Sequence, residues 1–155
     1  MEIRIATKEE IPGILELLRQ VGQVHHAIRP DIFPSNTLKY DAGALEEMLD
    51  IPKRPIFVAI EEGLVAGYCF CLLREYAHSR ISVQRKELYI DDLCVDEQHR
   101  GQGIATALYR HVSRYAKEIG CQTISLNVWC GNDNAMAFYK KIGMQERSIT
   151  METLL

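Results

Sequence analysis

Residues 87–105 read ELYIDDLCVDEQHRGQGIA, and their order decides the fold. The run from Glu87 to Val95 is strand-like. A turn follows, Gln98-His-Arg-Gly-Gln-Gly103, and helical spacing begins at Ile104. Ile104, Leu108, Val112, Tyr115 and Ile119 form one apolar stripe of a helix predicted over 104–119. The first amides of a helix lack intrahelical partners and carry the positive end of its dipole. Here they would follow two glycines, whose missing Cβ atoms leave room for an anion, and Arg100, a fixed charge. By itself the hexapeptide supports two readings, a phosphate cradle and a tight turn that only needs positive φ.

Working outward, Glu2 to Ala6 alternates as a short strand. Thr7 and Glu10 form a capping box ahead of Ile11, Ile14, Leu15, Leu17, Leu18 and Val21, which recur with helical spacing. Residues 25–36 are punctuated by proline and predict a loop. A shorter helix is expected around Asp41 to Leu49. Ile56 to Ile60 and Leu64 to Leu73 predict a hairpin turning at Glu61-Glu62-Gly63, and 74–86 a charged connection. Thr123 to Val128 predicts a strand, Ala135 to Ile142 a helix closed by Gly143, and Met144 to Thr153 a last strand. The order β-α-α-β-β-β-α-β-α-β, with the last strand open to splitting, predicts a mixed sheet with helices on both faces, a three-layer α/β (α+β) domain.

Composition narrows the function classes. At 155 residues the chain predicts a single domain, 1–155, with one substantial core. A net charge of −3 and the lack of a basic stretch with interleaved aromatics argue against nucleic acid as a partner. No apolar run reaches the length of a membrane span, and the N-terminus has no signal-peptide pattern. Five cysteines, an odd number set mainly in apolar segments, predict reduced, buried thiols in a cytoplasmic protein, with no metal site.

Two phosphate motifs are excluded. The dinucleotide fingerprint wants a third small residue where Thr106 stands, and no Gly-x-x-x-x-Gly-Lys-Ser/Thr occurs. Gln98-x-x-Gly101-x-Gly103, after an apolar strand and opening a helix, instead resembles the acetyl-CoA signature of the GNAT superfamily of N-acetyltransferases. Asn132-Asp-Asn-Ala135-Met-Ala-Phe-Tyr139-Lys-Lys-Ile-Gly143 resembles that family's second motif, at the right distance downstream. The element order is also the family's, so the resemblance spans essentially the whole chain.

The resemblance implies a fold in which two neighbouring strands splay to admit the pantetheine arm of acetyl-CoA. Backbone groups of Leu93, Cys94 and Val95 would pair with it, and Gln98 and the amides through Arg100, Gly101, Gln102, Gly103, Ile104 and Ala105 would hold the pyrophosphate. Asn132 would touch the pantetheine from the far side. It implies N-acetyl transfer to a small-molecule or peptide amine by direct attack in a ternary complex. No metal is required, because the thioester is already activated.

Such transfer needs a neutral amine, a stabilised oxyanion and a proton for the leaving thiolate. Tyr139 is the candidate acid, and a backbone amide at Val95 or a neighbour the oxyanion donor. Glu87, Asp91 and Asp92 are the candidate bases. Period-two geometry puts Glu87 and Asp91 on one face and Asp92 on the other, unless a bulge intervenes. Asn127 stands where some family members carry a glutamate, so that solution is absent. His25 and His26 are expected to line the acceptor side from a loop, and Trp129 to wall the cleft or pack. The acidic cluster favours a cationic acceptor. Many relatives are dimers, so a homodimer is expected by analogy only. Two rivals remain: a non-catalytic acyl-CoA-binding sensor, and a nucleotide-phosphate binder sharing only the glycine turn.

Overall fold

The computed structural model describes residues 1–155. Its elements run β1 (Glu2–Ile5), α1 (Ile11–Ile28), α2 (Ala42–Leu49), β2 (Ile56–Glu61), β3 (Leu64–Tyr76), β4 (Arg85–Val95), α3 (Ile104–Glu118), β5 (Thr123–Leu126) and α4 (Asp133–Lys141). The sheet keeps chain order, β1-β2-β3-β4-β5. The first four strands are antiparallel neighbours, and α3 carries the chain over so that β5 lies parallel to β4. This is the predicted mixed sheet.

Alternation along β3 divides two cores between the faces. Tyr68 and Phe70 pack with Ile14, Leu17 and Leu18 of α1 and Leu45 and Met48 of α2. Cys69 and Cys71 pack on the other side with Leu88, Ile90 and the α3 stripe Ile104, Leu108, Val112 and Ala116. Gly67 allows the head of α3 to come close. A Cβ built there would lie 3.0 Å from the Cys94 carbonyl, 3.1 Å from Leu108 Cδ1 and 3.2 Å from Ile104 Cγ2. The capping box forms as predicted, through a short 3-10 turn, Lys8–Glu10. The Glu10 carboxylate accepts from Thr7 N at 2.7 Å and from Arg4 Nη2 at 2.8 Å, and Arg4 holds its pKa down at about 2 despite burial.

Two features position the site. Phe70 pairs with Asp92 but Cys71 with Ile90, so Asp91 is an extra residue on β4, a bulge. Before it Leu88 and Ile90 face α3; after it Cys94 joins the α1/α2 core. The bulge reverses the phase of the strand, which sends Asp92 to the α1/α2 side, where it meets the hydroxyl of Tyr68. Second, β5 pairs with β4 only over Glu87–Ile90. From Asp91 to Val95, β4 runs on with no strand partner on that side.

Three expectations are corrected. Helix α1 continues through His25 and His26 to Ile28, because no glycine or proline interrupts 23–29; Pro30 ends it, and Arg29 leaves helical geometry. The strand expected over Met144 to Thr153 does not form. Its residues find no backbone ladder on the sheet, and Ile149, Met151, Leu154 and Leu155 are exposed. Side chains hold the segment instead, Arg147 on Glu87 and Glu152 on Arg29. Cys69, Cys71 and Cys94 are buried as expected, but Cys121 is half-buried and Cys130 exposed, because both lie at helix–strand connections. No helix is long and apolar enough to cross a membrane.

Candidate active site

Where β4 and β5 part, a cavity of about 350 Å³ opens, lined by His25 of α1, Lys39 of the α1–α2 loop, Asp91 and Asp92 of the bulge, Trp129, Asn132 and Tyr139. A larger, shallower groove of about 650 Å³ between Glu75, Arg85, Lys86 and Gln122 lies at the other end of β4 and holds none of the predicted site residues. The smaller cavity is the one with chemistry.

The glycine turn joins the end of β4 to the head of α3. Gly101 and Gly103 have φ of +78° and +82°, and a Cβ built on either meets nothing within 4 Å. They therefore meet the demand of the turn and also leave an open face. Asp41 and Asn132 cap α2 and α4 with side chains and Thr7 caps the 3-10 turn ahead of α1, whereas α3, like α1 itself, has no side-chain cap, and its first intrahelical bond runs from Ala107 N to Gly103 O. An uncapped helix head beside an open glycine turn fits the pyrophosphate of coenzyme A. Arg100 donates to the Val95 carbonyl at 3.4 Å, and Gln102 to the Gln98 carbonyl at 3.4 Å.

The turn is held by two residues that sequence reasoning missed. Asp96 Oδ1 accepts from Gln98 N and from Gln20 Nε2 at 3.1 Å, while its Oδ2 lies 2.8 Å from His99 Nδ1. Gln20 in turn accepts from Glu97 N at 3.2 Å, which ties α1 to the turn. Asp96 had a legible signal, an aspartate capping the short helical turn Glu97–His99; Gln20, about 76 positions away in sequence, had none.

The predicted acid–base groups separate. Asp92 Oδ2 accepts the Tyr68 hydroxyl at 2.9 Å, and burial pushes its pKa up against the nearby Lys39 ammonium and that hydrogen bond. Burial, with Cys69, Asp92 and Cys94 close by, also raises the Tyr139 phenol, which is neutral at pH 7. Asp91 is engaged by Tyr40 and Lys39. Glu87 lies outside the cavity, fully buried, bonded by Arg147 and by Tyr76 at 3.2 Å. Burial pushes its carboxyl up, but the Arg147 guanidinium together with the neighbouring hydroxyls of Ser125 and Tyr76 holds it below the usual range.

Cys94 is enclosed, its thiol donating to the Leu17 carbonyl and pushed up to about 12 by burial, so it is not a nucleophile at neutral pH. Asn132 lines the cavity while its Oδ1 caps α4 through Ala135 N. His26 points away from the cavity lining to the Phe33 carbonyl at 2.7 Å, which fixes Phe33 between His25 and Trp129, with ring centroids 5.1 and 5.2 Å apart. Trp129 thus both walls the cleft and packs.

Comparison with known proteins agrees with this geometry. Residues 23–144 match the model of the Acetyltransferase (GNAT) family. A thialysine N-epsilon-acetyltransferase of Mus musculus is 36% identical over 154 residues, which is 93% of this chain and 84% of that protein. An uncharacterised N-acetyltransferase of Methanocaldococcus jannaschii is 35% identical over 148 residues, 95% of this chain but only 62% of that protein. The crystal structure of a mutant BH1408 protein from Bacillus halodurans superposes with a TM-score of 0.96 at 33% identity, covering 100% of this chain and 99% of that one. With an open glycine turn, a parted β4–β5 pair and this likeness over nearly its whole length, the chain belongs to the GNAT family and is an acetyl-CoA-dependent N-acetyltransferase.

Proposed function

We propose that the chain acetylates the terminal primary amine of a cationic acceptor, a small molecule or a peptide carrying a lysine-like side chain, by direct attack in a ternary complex. The observation that carries this reading is the convergence of Asp92 and Tyr139 on one cavity at the parting of β4 and β5. The name of the mouse relative, a thialysine N-epsilon-acetyltransferase, supports an alkylamine acceptor.

Acetyl-CoA supplies an activated thioester, and the chain's own residues supply position and protons. The free edge at Leu93, Cys94 and Val95 pairs with the pantetheine amides, and an amide of this edge, Val95 or a neighbour, stabilises the oxyanion. The amides from Arg100 to Ala105 hold the pyrophosphate, with Gln98 shaping the turn. An alkylammonium has a pKa of about 10.4, so its proton must be removed. Asp92 takes it, directly or through water, and its raised pKa narrows the gap between base and ammonium. Tyr139 protonates the thiolate. His25 and Trp129 line the acceptor side; Glu87 and His26 hold structure around it.

The test is turnover with a panel of amines, with free thiol measured, for wild type and Asp92→Asn. Thiol release with alkylamines, lowered about 10²-fold or more in kcat/KM by the substitution, is the expected outcome. Wild-type rates in Asp92→Asn would remove the base. Tight coenzyme A binding without thiol release from any amine would restore the sensor reading.

A further inference from the structure

Asp91 and Asp92 look like an equivalent pair in sequence, but their surroundings differ. Asp91 Oδ2 accepts the Tyr40 hydroxyl at 2.8 Å and lies 2.9 Å from Lys39 Nζ, which also donates to the Asp91 carbonyl at 3.1 Å. Asp92 has only the Tyr68 hydroxyl, at 2.9 Å, and forms no ion pair. Lys39 stands in the cavity wall, its side chain 41% exposed, and is the one lysine or arginine among the lining residues. Two carboxylates and one fixed cation therefore face the same space. Its double hold on Asp91, carboxylate and carbonyl together, keeps the ammonium at the bulge.

We propose that Lys39 is a specificity-determining residue: by neutralising Asp91 it leaves one free carboxylate in the cavity, so the site takes acceptors that bring a single positive charge and discriminates against α,ω-diamines. This rests on the amine-acetylating reading above. A monoamine places its ammonium at Asp92 and leaves its chain among Phe33, Trp129 and Leu38. A diamine of the same length must place a second ammonium in a cavity whose other carboxylate is taken and whose wall carries a like charge. Like charges several ångströms apart repel measurably even at a partly hydrated site, and the effect weakens with salt.

The experiment compares pentylamine with 1,5-diaminopentane as acceptors for the full chain, with acetyl-CoA, in wild type, Lys39→Met and Lys39→Arg. The ratio of kcat/KM, diamine over monoamine, is expected to rise about tenfold in Lys39→Met, to stay at the wild-type value in Lys39→Arg, and to lose most of the rise at high salt. A ratio unmoved or lowered in Lys39→Met overturns the proposal even when both rates fall together, since a merely structural lysine would depress both equally. A wild type that releases no thiol with either amine counts against the acceptor reading, not against Lys39. Calorimetric binding of 1,5-diaminopentane in the presence of coenzyme A then decides: tighter binding to Lys39→Met than to wild type sustains the proposal, and equal binding overturns it.

Discussion

Replacing Gly103 by alanine separates the two roles of the glycine turn. Gly103 sits at φ +82° with open space around its missing Cβ, so the methyl clashes with nothing in the protein. Its cost to folding is the left-handed backbone alone, about 1–2 kcal/mol, which is roughly 2–8 °C in Tm for a domain of this size. Gly120 is the matched control. It has φ +78°, equally open space, and lies at the far end of α3 from the cradle.

Both variants should therefore lose about the same Tm without ligand. They should part when acetyl-CoA is added. A methyl at Gly103 fills the open face and displaces the phosphate from at least one amide, a charge-assisted bond of about 1.5–3 kcal/mol, or a tenfold or larger loss of affinity. At a concentration of 100 times the wild-type Kd, acetyl-CoA stabilises the wild type by about 2.7 kcal/mol, and the Gly103→Ala chain by about 1.4 kcal/mol or less. Gly120→Ala should keep the full stabilisation. The assay is thermal unfolding with a titration of acetyl-CoA. Equal ligand-induced shifts in both variants would refute the cradle and leave the turn as structural only, and an undiminished Tm in Gly103→Ala would refute the left-handed geometry.

Two further outcomes are expected. Tyr139→Phe should lower kcat by about 10²-fold with little change in acetyl-CoA affinity, since it removes a proton donor and keeps the ring; unaltered steady-state rates would end its role as the acid. Glu10→Gln should cost stability in a pH-dependent way. The folded-state pKa of Glu10 is depressed from 4.5 to about 2, so its contribution is present above pH 4.5 and fades as pH falls toward 2. The drop corresponds to about 3 kcal/mol, reduced to about 1–2 kcal/mol because the Arg4 side chain is 35% exposed. Urea unfolding of both chains at pH 7 and near pH 2 should show the gap closing, and a gap independent of pH would contradict the assignment.

The sequence by itself determined the element order as far as α4, the buried stripe of α3, the β2–β3 hairpin, the Thr7–Glu10 capping box and the two glycines ahead of Ile104. Each of these is written in the spacing of residues close together in the chain, where propensity and period act. Tertiary structure decided the rest. The phase of β4 depends on how Asp91 fails to pair with β3, so only the partner strand shows that Asp92 turns to the side of Tyr68. Whether Met144 to Thr153 becomes a strand depends on a neighbouring ladder, which the segment's own alternation does not supply. Gln20 on the glycine turn, Lys39 and Tyr40 on Asp91, and Arg147 on Glu87 are contacts between residues that local spacing does not relate. Packing two layers against the bulged strand brings them together, and that packing makes Asp91 and Asp92, neighbours in sequence, chemically different.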